Sequence, residues 1–393
     1  MQSNKRIVLI RGTWATLDLF SREMEKYFAE RGTEIFILDT NDLIMSLGGL
    51  YEFVKKPVDA VLTFNNVGLN MELEQGKRLW DQLAIPCIDI LVDHPVCYLQ
   101  ELQMAPERTT VVCVDRNHVS FVKRFFPNIR ETYFMPHGGT MCGSEQIPWR
   151  DRPIEVLYAG GLPRKVASSY IPENLDEICG FRTDELCDEV LTELITDTDC
   201  TFEAAMEHYF VKRQVELEDE QLLQYIRMFR FLDVYAFSYY REKSVRLLVQ
   251  NGIPVTLYGP GWENCDWITN PNVNYHTQVS PEEILSLMGK AKIVLNSMPN
   301  FKDGSHERIF NGMLAGAAVV TDTSRYMEKE MQGQEFVWRY ELKNQNELSG
   351  MVEDILKYPK MIDRVTERAY GAAVEHHTWK KRAQQIESYI EQT

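Results

Sequence analysis

The segment Lys292 to Thr323, KIVLNSMPNFKDGSHERIFNGMLAGAAVVTDT, constrains this chain more than any other stretch. Ile293, Val294 and Leu295 form a short apolar run of strand type. Pro299, Asn300, Asp303 and Gly304 follow as turn formers, and from Ser305 apolar residues return at helical spacing. Ile309, Phe310, Met313 and Leu314 give that helix its buried side, while Glu307 and Asn311, four residues apart, share another face. The small residues Ala315, Gly316, Ala317 and Ala318 close it tightly. Val319 and Val320 then open a second strand that stops at Thr321 and Asp322. The result is one βαβ unit with polar groups gathered at a strand's C-terminal edge, where open parallel sheets bind ligands. Ser305 is the expected helix cap. Arg308 falls in the first turn, where a cation opposes the helix dipole, so a bound anion explains it better than helix stability does. The loop and helix start, from Gly304 through Ser305 and His306 to Arg308, therefore read as a phosphate site.

The remaining chain repeats this alternation. Ile7 to Ile10 form a strand that breaks at Arg11, Gly12 and Thr13, and a helix follows through Leu17, Phe20, Met24 and Phe28. Strands at Glu34 to Leu38, Asp59 to Phe64, Cys87 to Val92, Thr110 to Val114 and Tyr133 to Met135 come next, with a helix expected over Leu69 to Leu83. Such order implies a parallel sheet covered on both faces. No G-x-G-x-x-G follows the first strand, which makes a dinucleotide cofactor a poor reading. A second series starts at EVLYAGG, resumes with a long helix carrying Arg241 and Arg246, and continues through strand Val255 to Tyr258, strand Val273 to His276 and a helix from Pro281 to Met288 capped by Ser280. It ends with a strand Phe336 to Tyr340, a helix Glu347 to Leu356 and a helical C-terminus. Between the two parts of this series, from about 168 to 230 and beginning near Tyr170, the sequence is acidic and helical, as an insertion would be.

At 393 residues the chain exceeds the roughly 250 to 300 at which single cores stop growing, so two domains are expected. With 42 basic and 58 acidic residues the net charge is −16, which argues against nucleic acid or an anionic membrane as nonspecific partners. The eight cysteines (Cys87, Cys97, Cys113, Cys142, Cys179, Cys187, Cys200, Cys265) show no C-x-x-C pair and no zinc-type spacing with histidine. They read as reduced thiols of a cytoplasmic protein. MQSNKRIVLIRG leads straight into a glycine turn and reads as a first strand and not a signal peptide, and no run approaches the ~20 apolar residues of a membrane helix.

Several strand ends carry chemistry-bearing residues. IDILVDHP ends on Asp93 and His94, with Asp93 a candidate orienter of the histidine or general base. Tyr133 to Met135 runs into Pro136, His137, Gly138 and Gly139. Gly160 and Gly161, followed by Arg164 and Lys165, suit a diphosphate, since glycines allow close approach and cations supply charge. Tyr258 and Gly259 open a G-P-G-W turn in which Tyr258 or Trp262 is a candidate for stacking on a base. Asp197, Thr198 and Asp199 match a D-x-D metal motif, but among helices the reading is a solvated turn, and no metal is expected.

The run S-x-E-R-x-F-x-x-M-x-A-G from Ser305 to Gly316, followed by small residues and T-D, resembles the donor-nucleotide motif of GT-B glycosyltransferases. Within them it is most similar to the CgeB-like, spore-maturation branch of glycosyltransferase group 1, as is the closing H-T-W-x-x-R of His377 to Arg382. That resemblance implies an α/β GT-B architecture, two Rossmann-like parallel-sheet domains facing a cleft, with a helical insertion in the second. It implies an acceptor domain over 1–145, a nucleotide-sugar donor domain over 146–365, and a final helix over 366–393 that crosses back to the first domain. The broader retaining group holds donor sugar and ribose with two glutamates eight apart. Aligned on Met313 and Gly316, their places fall on Asp303 and Asn311, and Glu307 is a candidate to have taken over one role. By the same resemblance His94, with Asp93 and Asp303, is placed at the reacting sugar. Gly12, Thr13 and His137 lie on the acceptor side, and Gly160, Gly161, Arg164, Lys165, Tyr258, Gly259, Gly304, Ser305, His306, Glu307, Arg308 and Asn311 on the donor side. The implied activity is metal-independent transfer of a sugar from a nucleotide diphosphate sugar, a UDP-sugar first, to a glycan or protein acceptor, with no cofactor. A sugar-nucleotide epimerase of the same fold and a noncatalytic scaffold or carbohydrate-binding protein are the alternatives.

Overall fold

Runs of β-branched and aliphatic residues collapse into two separate parallel sheets in the computed structural model, which describes residues 5–74, 76–141, 143, 147–169, 171–331 and 336–392. The chain divides into two compact units, Met1–Thr140 with Val374–Thr393, and Met141–Ala373. The expected boundary at 145/146, Tyr170 at the start of the insertion, and Cys142 lie outside the described residues.

In the first unit the strands are β1 (Arg6–Arg11), β2 (Glu34–Asp39), β3 (Ala60–Phe64), a short antiparallel hairpin of β4 (Glu72–Glu74) and β5 (Lys77–Arg78), then β6 (Cys87–Leu91), β7 (Thr109–Cys113) and β8 (Glu131–Phe134). The sheet runs β2-β1-β3-β6-β7-β8, all parallel. β1 registers Ile7 against Ile35 on one side and Ala60 on the other, and Ile7 to Ile10 are buried on both faces, as a doubly covered strand requires. The hairpin corrects the helix expected over Leu69 to Leu83. Glu72 pairs antiparallel with Arg78 and Glu74 with Lys77, Gly76 lies at φ +75°, and among the described residues of this stretch only Leu79–Leu83 is helical.

The helix Trp379–Ile390 is part of this first unit. Trp379, fully buried, stacks on Phe20 at 4.4 Å and meets Phe64 edge-on at 5.4 Å. Its approach explains the glycines after His137, since a Cβ on Gly138 would stand 2.8 Å from Trp379, and the Gly139 amide donates to His377 O at 2.6 Å.

The second unit holds β9 (Ile154–Ala159), β10 (Val255–Tyr258), β11 (Val273–His276), β12 (Ala291–Leu295), β13 (Ala318–Asp322) and β14 (Val337–Tyr340), ordered β11-β10-β9-β12-β13-β14. β9 pairs in parallel with both β10 and β12. Val156, Leu257, Ile293, Val320 and Trp262 join one core with the long helix Arg230–Gln250 through Tyr240, Val245 and Leu248. Between β9 and that helix the insertion is helical as expected, with Leu175–Cys179, Asp184–Thr196, Phe202–Lys212 and Asp219–Met228. Among the described residues no helix is long and apolar enough to cross a membrane.

Candidate functional site

In an open parallel sheet the crevice for ligands lies where successive connections leave in opposite directions. In the second unit that point is β9, whose neighbours are β10 on one side and β12 on the other. The side chain standing there is Arg308, from the first turn of the helix Glu307–Leu314. Its Nη1 donates to Asn296 Oδ1 at 2.6 Å and its Nη2 lies 3.0 Å from His306 Nε2. A Cβ on Gly160 would come within 3.2 Å of Nη2, so the close approach of strand end and guanidinium depends on glycine. A guanidinium only donates, so Nε2 of a neutral His306 faces it as acceptor, while Nδ1 lies 3.3 Å from the Arg308 amide that it caps and 2.6 Å from Glu307 Oε2. Burial, with Arg308 beside it, lowers the pKa of His306 and favours this neutral form.

The helix start differs from expectation in one respect. The residue in the N-cap position, extended at φ −115° and ψ 144°, is His306 and not Ser305, and the helix begins at Glu307. Ser305 lies one residue earlier, fully buried, its Oγ without a hydrogen-bond partner. Ser297 Oγ after β12, Thr323 Oγ1 after β13 and Asp322 Oδ2 are buried and unpartnered in the same way. Orphaned polar atoms collected at one sheet edge are what a polar ligand would satisfy.

Two cations join the edge that sequence reasoning did not assign. Arg241, from the helix Arg230–Gln250, donates through Nη1 to Gly161 O at 2.6 Å. Its pKa is lowered by burial, against the pull of Tyr158, with Arg308 adding repulsion and Asp322 attraction. Lys302, whose pKa burial likewise lowers, donates to Thr198 O at 2.7 Å. Asp322 accepts the Met298 amide at 2.8 Å, and burial pushes its carboxyl up to about 6. The available sequence signal for Arg241 was its place in a helix between Phe237, Tyr240, Val245 and Leu248, a cation on a largely apolar stripe.

The glycine turns have a structural reason of their own. Gly160 N donates to Tyr258 O and Leu162 N to Pro260 O, both at 2.8 Å, so the two turns lie backbone to backbone. Gly259 at φ +130° would place a Cβ 2.7 Å from the Gly160 carbonyl. Trp262 is fully buried with its Nε1 on Gly160 O at 2.8 Å, which removes it as a stacking platform. Tyr258 already stacks on His276, at 4.6 Å and 13°. Arg164 pairs with Glu242 at 3.0 Å and Lys165 with Asn264 Oδ1 at 3.1 Å, so the basic pair expected behind Gly161 is engaged elsewhere and the cation bonded to Gly161 is Arg241. Asp303 and Asn311 are both buried, and Gly304 O accepts from Ser324 Oγ at 2.6 Å, which fixes the loop between them and the strand end.

The first unit has its own edge residues. Gly12, at φ +109°, donates its amide to Asp18 Oδ1 at 2.9 Å, and Thr13 Oγ1 lies 3.3 Å from Thr40 Oγ1. The Asp93 carboxylate accepts from Asn65 Nδ2 at 2.9 Å and from the Tyr98 hydroxyl at 3.1 Å. His94 is buried, its Nδ1 accepting the Val96 amide at 3.1 Å and its ring 4.5 Å from that of His118. His137 is buried against Phe20 and Trp379, and its carbonyl accepts from Arg382 Nε at 3.0 Å. In the insertion, Asp197 accepts the Asp199 amide at 3.0 Å in an exposed turn between two helices, as the solvated reading of D-x-D has it.

Two Rossmann-like parallel sheets of six strands each, with covering helices, define the GT-B fold class. Comparison with known proteins agrees. Residues 241–388, which carry Arg241, Asn296, Arg308 and Asp322, match the family described as "Glycosyl transferase-like". No curated protein sequence matches the chain. Among solved structures, Anabaena HepE in complex with UDP-glucose aligns with a TM-score of 0.54 at 10% identity, over 99% of this chain and 100% of that one. Sucrose-phosphate synthase from Thermosynechococcus elongatus aligns at 0.52 and 11% identity, over 99% and 98%. A glycosyltransferase from Rickettsia africae aligns at 0.51 and 10%, again over 99% and 98%. At such identities the likeness establishes the GT-B fold.

Proposed function

We propose that the protein is a glycosyltransferase that moves a sugar from a nucleotide diphosphate sugar to a glycan or protein acceptor, using cationic side chains and no metal ion at the donor site. The observation that carries this reading is Arg308, held between Asn296 Oδ1 and His306 Nε2 at the switch point of the second sheet with Gly160 against it. Its remaining N–H groups suit a diphosphate oxygen, and Arg241 adds a second positive charge beside Gly161. Departure of a nucleoside diphosphate leaves negative charge on those oxygens, and fixed cations stabilise it without reorganisation. Asp303, Glu307 and Asn311 are taken as the polar groups for sugar and ribose. HepE has been crystallised with UDP-glucose, which favours a UDP-sugar as donor here. The first unit is taken as the acceptor domain, with Gly12, Thr13, Asp93, His94 and His137 on the acceptor side and His94 contacting the sugar. CgeB-like motifs and a cytoplasmic setting complete the proposal.

Thermal unfolding with UDP, GDP, TDP and CDP tests the donor site. A nucleotide at 100 times its Kd adds ~2.7 kcal/mol to stability. Stabilisation by one of them that disappears in Arg308→Ala supports the assignment. No response to any nucleotide would remove it and leave a noncatalytic scaffold. Incubation with the matching sugar nucleotide alone separates slow hydrolysis, expected of a transferase, from conversion to an epimer.

A further inference from the structure

We propose that the helical insertion carries a transition-metal site, suited to zinc, built from Glu193, Cys200 and His208. The three come from consecutive pieces of chain: Glu193 from the helix Asp184–Thr196, Cys200 from the turn after it, and His208 from the helix Phe202–Lys212. Glu193 Oε1 stands 2.6 Å from His208 Nδ1 and 3.4 Å from Cys200 Sγ, and the three ligating atoms lie within 4.8 Å of one another. A half-buried carboxylate and an exposed imidazole in contact would be an ordinary surface pair. The buried thiol, whose sulfur lies 3.4 Å from that carboxylate oxygen and equally far from Thr201 O, is what such a pair has no need of.

Thiolate, imidazole and carboxylate together form a donor set that selects zinc or cobalt over magnesium or calcium. Bonds of about 2.0 to 2.3 Å at tetrahedral angles place ligand atoms about 3.4 to 3.7 Å apart. Glu193 and Cys200 already have that spacing. His208 Nδ1 stands closer to Glu193 than that, at 2.6 Å, and lies within 4.8 Å of the sulfur, and its 60% exposed side chain has room to adjust to both. The backbone beneath is fixed: Cys200 N donates to Asp197 O at 3.2 Å, and Thr201 Oγ1 caps the following helix on Ala204 N at 3.3 Å. A pocket of about 430 Å³, lined by Asp188, Glu189, Glu193, Thr196 and His208 among others, opens beside the cluster and leaves room for a water as fourth ligand. Glu189 does not compete, since Arg213 and Lys212 hold it at 2.7 and 2.9 Å. On binding, the thiol proton, which has Glu193 Oε1 and Thr201 O as acceptors at 3.4 Å each, leaves to solvent, the His208 Nδ1 proton is exchanged through solvent to Nε2, and metal–sulfur, metal–nitrogen and metal–oxygen bonds form with no redox change. The turn so fixed includes Thr198, whose carbonyl receives Lys302, so the metal would also steady the loop that leads to Ser305.

The site is independent of the donor reading and is tested without turnover. The chelator-stripped full chain is titrated with Co²⁺ and then Zn²⁺. We expect one equivalent of Co²⁺ to give tetrahedral d–d bands and a thiolate-to-cobalt charge-transfer band, displaced by Zn²⁺, with a rise in Tm. Cys200→Ser should abolish the charge-transfer band, His208→Ala should weaken binding by about 100-fold, and Cys187→Ser, a thiol on the helix of Glu193, should change neither. Because His208 is exposed, His208→Ala decides the matter even if Cys200→Ser fails to fold. Absence of the band in the wild-type chain, or wild-type affinity in His208→Ala, overturns the proposal.

Discussion

The guanidinium of Arg308 donates to Asn296 Oδ1 at 2.6 Å, and the Nδ2 of that asparagine donates in turn to Thr321 Oγ1 at 2.9 Å. Asn296 is fully buried and follows β12 directly, so the helix cation is aimed by the ends of two strands. Two variants separate charge from aim. Arg308→Ala removes the charge and should lower kcat by about 10²- to 10³-fold, as loss of a fixed transition-state donor does elsewhere. It leaves Asn296 Oδ1 unpaired, at a stability cost of about 1 to 3 kcal/mol, and the chain should still show the wild-type circular dichroism. Asn296→Ala keeps the charge but frees it, and steady-state assays should show a smaller fall. Full activity in Arg308→Ala would end the phosphate assignment.

Gly261 and Gly252 both sit at positive φ, +95° and +79°, but only Gly261 faces backbone, with Leu162 O 2.1 Å from where a Cβ would be. Alanine at Gly252 meets nothing within 4 Å and should cost only the conformational strain, about 1 kcal/mol. Alanine at Gly261 must also push the G-P-G turn off Leu162, and should cost roughly 3 kcal/mol or more. Urea unfolding of the two variants measures the difference. Equal losses would mean that the two glycine turns do not press on each other as described.

Strand positions were legible because a buried strand is written as an apolar run, as at Ile7 to Ile10, and an edge strand as alternation, as at Val273–His276, which with Val255–Tyr258 begins and ends where the residue pattern does. Sheet order then points to the edge where Arg308 and Gly160 meet. What stayed hidden was set by pairing at long range. Arg164 and Lys165 follow Gly161 in the chain, yet Glu242 and Asn264 take them, and the bond to Gly161 comes from Arg241, eighty positions on. The Glu193, Cys200 and His208 grouping matches no sequence spacing for metal because two helices and a turn bring it together. Glu72 to Arg78 read as helix for a local reason: its charged residues fit a helix surface as well as an exposed hairpin, and only the turn at Gly76 decides.

Trp379 offers a stability test of the final helix. Its ring is fully buried between Phe20 and Phe64, and its Nε1 has no hydrogen-bond partner. Its contribution is therefore packing alone. Trp379→Ala should cost about 3 to 5 kcal/mol, whereas Trp379→Phe, which forfeits no polar contact and keeps an aromatic ring, should cost less than half of that. Chemical denaturation followed by circular dichroism would check both, and a Phe variant as unstable as the Ala variant would point to a missed polar role for the indole.

Asp89 carries the clearest pH prediction. It lies fully buried in β6, one oxygen accepting the Asn66 amide at 2.9 Å and the other unpartnered, and burial pushes its carboxyl up to about 7. The unfolded chain ionises near the ordinary aspartate value, about 4. Between those values the native state holds a proton that the unfolded state has released, so stability falls as pH rises through this window and the loss is complete above about 7. Asp89→Asn keeps an oxygen for the Asn66 amide but has no proton to lose. At pH 8 the variant should exceed wild type in stability by a few kcal/mol, on the order expected for burying an uncompensated carboxylate. Near pH 4 the two should lie within about 0.5 kcal/mol of each other, because the native wild type is then protonated and its unfolded chain about half so. The other carboxylates, which make the net charge −16, titrate alike in both chains and cancel in the comparison. Urea midpoints at pH 4, 6 and 8 supply the measurement; a gap of the opposite sign at pH 8 would mean that the ionised carboxylate is compensated by a cation near β6.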